Sequence, residues 1–225
     1  TLVFSTRDSD SVEVHLYDPT TEALTTVSLR GRWVAPRIGR VFSYLLEASW
    51  APDGEHIAFS DFSTPLDSTI KIASLETRRL RPLTTPRSGN SHSEPAWSPG
   101  GRTIALVRRR NGAAPMILLV GPDGHGLRRL AHGVSPSWSP DGRRLVFAWG
   151  DSIYRIDADG SSRTRLARDL PARGATLQPR WSPDGRTILF TTARGIWKSS
   201  MKGMVLPCVQ SSVFRTLTLR SPTGV

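Results

Sequence analysis

Cysteine is nearly missing: Cys208 is the single one in 225 residues, which excludes an internal disulfide framework. Long hydrophobic runs are missing too. No stretch approaches the roughly 18 apolar residues of a membrane span, and no secretory leader is visible at an N-terminus that begins with Thr1. That start fits a processed chain or a piece of a longer one. Lysine is scarce: Lys71, Lys198 and Lys202 are the only ones among 30 basic residues, and the net charge is +11. The arginines are scattered through the whole chain rather than gathered in a block. A diffuse basic surface attracts polyanions in a salt-sensitive, nonspecific way, so no dedicated nucleic-acid site is expected.

Catalytic and metal-binding signatures are equally thin. There is no Gly-x-Ser-x-Gly elbow of the kind a serine hydrolase needs. The five histidines, His15, His56, His92, His125 and His132, have no metal-ligand spacing. Asp157-Ala158-Asp159-Gly160 opens like a calcium loop but lacks the closing glutamate at position twelve. The glycines at 121, 124 and 126 carry no Gly-Lys-Ser/Thr and open no helix, so they do not form a phosphate loop. The sequence therefore predicts no enzyme, no metal and no cofactor.

What the chain does have is a repeat. Pro179-Arg180-Trp181-Ser182-Pro183-Asp184-Gly185 is followed by the apolar Ile188-Leu189-Phe190, and Pro136-Ser137-Trp138-Ser139-Pro140-Asp141-Gly142 by Leu145-Val146-Phe147. Trp97-Ser98-Pro99-Gly100-Gly101 replaces the aspartate by glycine, and Trp50-Ala51-Pro52-Asp53-Gly54 is the loosest copy. The tryptophans stand 47, 41 and 43 residues apart, the period of a four-stranded propeller blade. In each copy proline fixes the first corner of a tight turn, Asp53, Asp141 or Asp184 bonds local backbone, and Gly54, Gly101, Gly142 or Gly185 takes a positive φ. The run after the turn barely alternates, as in a strand covered on both faces. The tryptophans are expected to pack between blades.

The predicted fold is an all-β propeller of four-stranded antiparallel blades. About five blades are present in one domain, near residues 1–30, 44–84, 94–131, 135–167 and 178–219, with the chain starting in mid-blade. Residues 31–43 are an insertion that no other repeat has. Residues 196–225 break the pattern, although 213–219 has the composition of a strand that either finishes blade five or pairs with the N-terminal half-blade. Arginines recur on each outer strand, where charge protects an exposed edge from pairing with another chain.

The repeated Trp-Ser-Pro-Asp-Gly with its apolar strand, followed by Ile153-Tyr154-Arg155-Ile156-Asp157-Ala158-Asp159-Gly160, resembles the WD-like repeats of TolB-type β-propellers. The resemblance covers residues 1 to about 197. It implies a blade set drawn from a six-bladed ring, and a noncatalytic scaffold for protein–protein binding in the bacterial envelope. By that resemblance the location is periplasmic and the partner an envelope lipoprotein. Similar repeats occur in the substrate-gating propellers of prolyl-oligopeptidase-type serine peptidases and in sensor propellers of regulatory proteins. Residues just before each tryptophan, Glu47, Glu94, Ser135 and Gln178, are expected to line the channel mouth as partner-binding groups, with His92 beside them.

Overall fold

A computed structural model describes residues 2–7, 12–18, 23–29, 47–61, 68–167, 177–192, 195–200 and 205–210. Every regular element among them is a β-strand. A three-stranded sheet holds β1 (Leu2–Arg7), β2 (Val12–Asp18) and β3 (Ala23–Leu29). The second sheet is β4 (Ala48–Trp50), β5 (His56–Asp61), β6 (Thr69–Ser74) and β7 (Arg79–Pro82). The third is β8 (Asn90–Trp97), β9 (Ile104–Arg110), β10 (Ala113–Val120) and β11 (Arg128–His132). The fourth is β12 (Val134–Trp138), β13 (Arg144–Trp149), β14 (Ser152–Asp157) and β15 (Thr164–Ala167). The fifth is β16 (Arg180–Trp181), β17 (Thr187–Thr192), β18 (Gly195–Ser200) and β19 (Val205–Gln210). Each sheet is an antiparallel meander, and β4, β8, β12 and β16 follow one another around the inside.

The lack of alternation in β5, β9 and β13 now has its cause, whereas β17 departs from the expectation: Leu189 is 39% exposed between the buried Ile188 and Phe190, so that strand is not covered on both faces. On β9, Ile104 and Leu106 pack on Ile70, Ile72 and Leu83 of the second sheet. Ala105 and Val107 point the other way, against Leu145, Phe147 and Trp138 of the fourth. All four are wholly buried. Truncating a large aliphatic side chain in such a sandwich costs about 2–5 kcal/mol. Trp138 is the best-buried of the repeat tryptophans, and its indole Nε1 donates to the Ala96 carbonyl of the preceding sheet at 2.9 Å.

The Ser-Pro-Asp-Gly turns close as their composition requires. Gly142 N–H donates to the Ser139 carbonyl and Gly185 N–H to the Ser182 carbonyl, each at 2.9 Å, with φ of +68° at both glycines. The serine adds what proline and glycine do not. Ser139 Oγ donates to Asp141 at 2.6 Å and receives the Arg144 N–H at 2.9 Å, and Ser182 repeats this pattern with Asp184 and Thr187. Successive turns also stack. The Cβ position at Gly101 faces Pro52 Cγ at 3.2 Å, that of Gly142 faces Pro99, and that of Gly185 faces Pro140.

Two features depart from the sequence reading. The fifth sheet is completed by β19 at Val205–Gln210, earlier than 213–219, and those later residues lie outside the described ones, as does the insertion at 31–43. Outer-strand arginines also do more than charge an edge. Arg81 on β7 donates to the Pro122 carbonyl in the turn of the next sheet at 2.7 Å, and Arg128 on β11 donates to Ala158 in the sheet after it at 2.5 Å.

Candidate functional site

The inner strands of the third and fourth sheets each carry a bulge, between Ser93 and Ala96 and between Val134 and Ser137. Each bulge holds a residue and a following proline, and the first of each pair, Glu94 and Ser135, has a φ of +54° and +53°. A left-handed conformation at a non-glycine residue costs about 1–2 kcal/mol, so a compensating contact must hold it. That contact is a carboxylate from the sheet before. Glu94 N–H donates to Glu47 Oε2 at 2.6 Å, and Ser135 N–H donates to Glu94 Oε2 at 2.5 Å. Ser60 Oγ also donates to Glu47 Oε2 at 2.8 Å. Equivalent positions in three successive repeats thus form a relay, each acid fixing the bulge of the sheet that follows.

Arg109 supplies the positive charge. Its guanidinium pairs with Glu94 Oε1 and donates to Ser93 Oγ at 2.6 Å. Burial raises the Glu47 pKa, and the neighbouring Glu94 charge raises it further. The bonds from Ser60 and the Glu94 backbone, together with the Arg109 charge, pull the other way. Arg180, on β16, is exposed to water, yet its surroundings depress its pKa through desolvation. Opposing that, Glu94 and then Glu47 act on it from sheets two and three places back. Arg180 thus stands on the innermost strand of the fifth sheet, near enough to both carboxylates for their charges to act on it.

The five expected binding residues therefore do not form one group. Glu47, Glu94 and Ser135 are joined directly, and their polar atoms are engaged with one another. Gln178 is exposed, two residues before the exposed Arg180. His92 is buried and lines a different place, a cleft formed by residues 85–88 and the third sheet, with Leu118 of β10 in its lining. Sequence reasoning missed Arg109 and Arg180. The second could have been found by register, because 180 aligns with Ser49, Ala96 and Ser137 and is the one charged residue at that place. Among the described residues, no three His, Cys, Asp or Glu side chains are grouped as metal ligands. Among those same residues, no helix is long and apolar enough to cross a membrane.

Comparison with known proteins bears on this arrangement. A family model described as the TolB beta propeller domain matches residues 37–218. Over 137 residues, 57% of the chain, the sequence is 35% identical to the protein TolB homolog of Chlorobium luteolum and covers 30% of it. Over 107 residues, 44% of the chain, it is 33% identical to the "Uncharacterized peptidase YuxL" of Bacillus subtilis and covers 16% of that protein. The chain thus spans less than a third of the length of either relative. Among solved structures, TolB from Acinetobacter baumannii superposes with a TM-score of 0.64 at 22% identity, over 90% of this chain and 51% of that one. That likeness is one of fold.

Proposed function

Because the chain belongs to the TolB beta propeller domain family, we propose that it is a noncatalytic scaffold that holds a protein partner at the mouth of its channel. A propeller fold alone does not set function, so the reading rests on one observation. On the innermost strands Glu47 and Glu94 are engaged in holding the blades, whereas the fifth sheet presents Arg180, with exposed Gln178 two residues before it. A cation and an amide at a channel mouth suit an acidic or carbonyl-rich loop of a folded partner. By the same family relation the setting is the bacterial envelope and the partner an envelope lipoprotein.

The test is a binding titration of the purified chain with the soluble domain of the peptidoglycan-associated lipoprotein. Gln178→Ala and Arg180→Ala are expected to weaken binding at least about tenfold together, since interface truncations that matter cost more than about 1 kcal/mol each. Unchanged affinity in both variants, with the fold intact by circular dichroism, refutes the reading. The identity to a peptidase supports a second one, in which the chain is the substrate-gating propeller of a serine peptidase. In that case the full-length gene product hydrolyses peptide anilides, and removing the propeller changes which peptide lengths are cut.

A further inference from the structure

The cleft that His92 lines is a cavity among the described residues. It measures about 530 Å³ and is enclosed by residues 85–88, which join β7 to β8, and by side chains from β8, β9 and β10. This lies within the roughly 300–1,000 Å³ of small-molecule sites. Asn90 and His92 project from β8, paired across the ladder with Arg110 and Arg108 on β9, and all four line the space. Arg87 contributes from the connecting segment. The described lining residues thus include three arginines and no acidic side chain, and none of the three arginines has an ion-pair partner among the described residues.

Two atoms at this cleft are buried without a partner. His92 is 5% exposed, and its Nδ1 makes no hydrogen bond, although its backbone N–H is held by the Ser68 carbonyl at 2.8 Å. Arg108 Nε is in the same condition. Buried polar atoms are satisfied in the large majority of cases, so two orphans in one cleft call for an explanation. Burial and then the adjacent Arg108 charge drive the His92 pKa down to about 4, which leaves the imidazole neutral at pH 7 with one N–H to donate. With the His92 proton on Nδ1, both groups are donors that lack an acceptor, and the same kind of ligand supplies it to each. Three guanidiniums with the hydroxyls of Thr85 and Ser88 and the Asn90 amide favour a dianionic oxyanion over a single carboxylate. Pro86, Leu118 and Leu127, the last an apolar side chain 51% exposed, form the less polar part of the lining.

The geometry points to a binding site for a small phosphate monoester in the cleft between the third sheet and the 85–88 connection. Its phosphate lies on Arg108, Arg110 and Arg87 and takes a hydrogen bond from His92. Its organic part rests on Pro86 and Leu127. The site is separate from the channel, and its occupancy does not depend on the protein partner.

Isothermal titration of the purified chain with phenyl phosphate and with inorganic phosphate tests this, using acetate as the monoanion control. Arg87→Gln and Arg110→Gln are the informative variants because both side chains are exposed and their loss leaves the core untouched. Arg186→Gln, on an exposed turn elsewhere, controls for the overall positive charge. The expected result is a Kd for phenyl phosphate below about 1 mM, weakened about tenfold or more by either cleft variant and unchanged by Arg186→Gln. In a parallel NMR titration with phenyl phosphate the His92 imidazole resonances shift and its pKa rises. No saturable binding, equal binding of acetate, or equal loss in all three variants overturns the proposal. So does tight binding that leaves the His92 resonances unmoved.

Discussion

At the scale of single residues, the third repeat is a natural experiment on the turn. Gly100 stands where the other copies have Asp53, Asp141 and Asp184, and so the carboxylate that accepts the Arg143 N–H at 3.0 Å in the fourth repeat has no counterpart here. Gly100 does not have a positive φ, and nothing lies within 4 Å of its Cβ position. Gly100→Asp should therefore restore the local hydrogen bonds and also stiffen the unfolded chain. Together these add about 1 kcal/mol, or roughly 2–4 °C in melting temperature. Its neighbour must respond in the opposite way. Gly101 holds φ +73° with Pro52 Cγ 3.2 Å from its Cβ position, so Gly101→Ala should lower the melting temperature. Differential scanning calorimetry of the two variants reads both signs in one experiment.

At the scale of the strand, the carboxylate relay makes Glu94 a structural group before it is a ligand. Glu94→Ala removes the acceptor for the N–H of the buried Ser135 and the counterion of Arg109. An unsatisfied group of this kind costs about 1–3 kcal/mol. Glu94→Gln keeps one carbonyl oxygen for Ser135 and should lose much less. Urea unfolding of the pair separates the two cases, and equal loss in both would argue against the relay. This layer of the structure was the least legible in the sequence. The turns and apolar strands could be read because proline, glycine and unalternating runs act locally. The partner of Glu94 lies 47 residues away at Glu47, and nothing local marks the left-handed backbone at Glu94 or Ser135. Register identified these positions but not their engagement with one another. The end of the fifth sheet was hidden differently. Pro207 and Cys208 interrupt any strand pattern, yet β19 is an edge strand beside a register shift at Ile196 and Trp197, where a proline is tolerated.

For the molecule as a whole, acid should act in two stages. His92 has a folded-state pKa of about 4 against 6.5 unfolded. The unfolded chain therefore takes up the proton first. The stability tied to a neutral His92 is complete above pH 6.5 and is lost as pH falls toward 4, up to about 3 kcal/mol. Arg108 is the charge that faces the ring, with Arg87 and Arg110 lining the same cleft. Below that window the turn acids follow. The Ser139 hydroxyl and then the Arg143 N–H hold Asp141 below its usual range, as Ser182 and Arg186 do for Asp184. Their contribution is present above the unfolded carboxylate pKa near 4 and is lost as pH falls through the lower folded values. Glu47 runs the other way, since burial raises its pKa, and it opposes folding as pH climbs past that value. A melting-temperature profile from pH 7 to 3 should show both stages, and His92→Gln should remove the first while leaving the second.

The relay of Glu47 to Glu94 to Ser135 also has a direction, because each acid reaches forward to the backbone of the sheet that comes next in the chain. At Ser135 it stops, for a serine side chain is too short to hand the contact on. Among the described residues, the inner-strand tie onward is the Trp181 N–H to Ser137 Oγ, at 3.4 Å. The assembly therefore has a grain. Of the seams that join the second to the fifth sheets, the one between the fourth and fifth should part first under tension. As the chain emerges during synthesis, the earlier sheets set the shape that the later ones must meet.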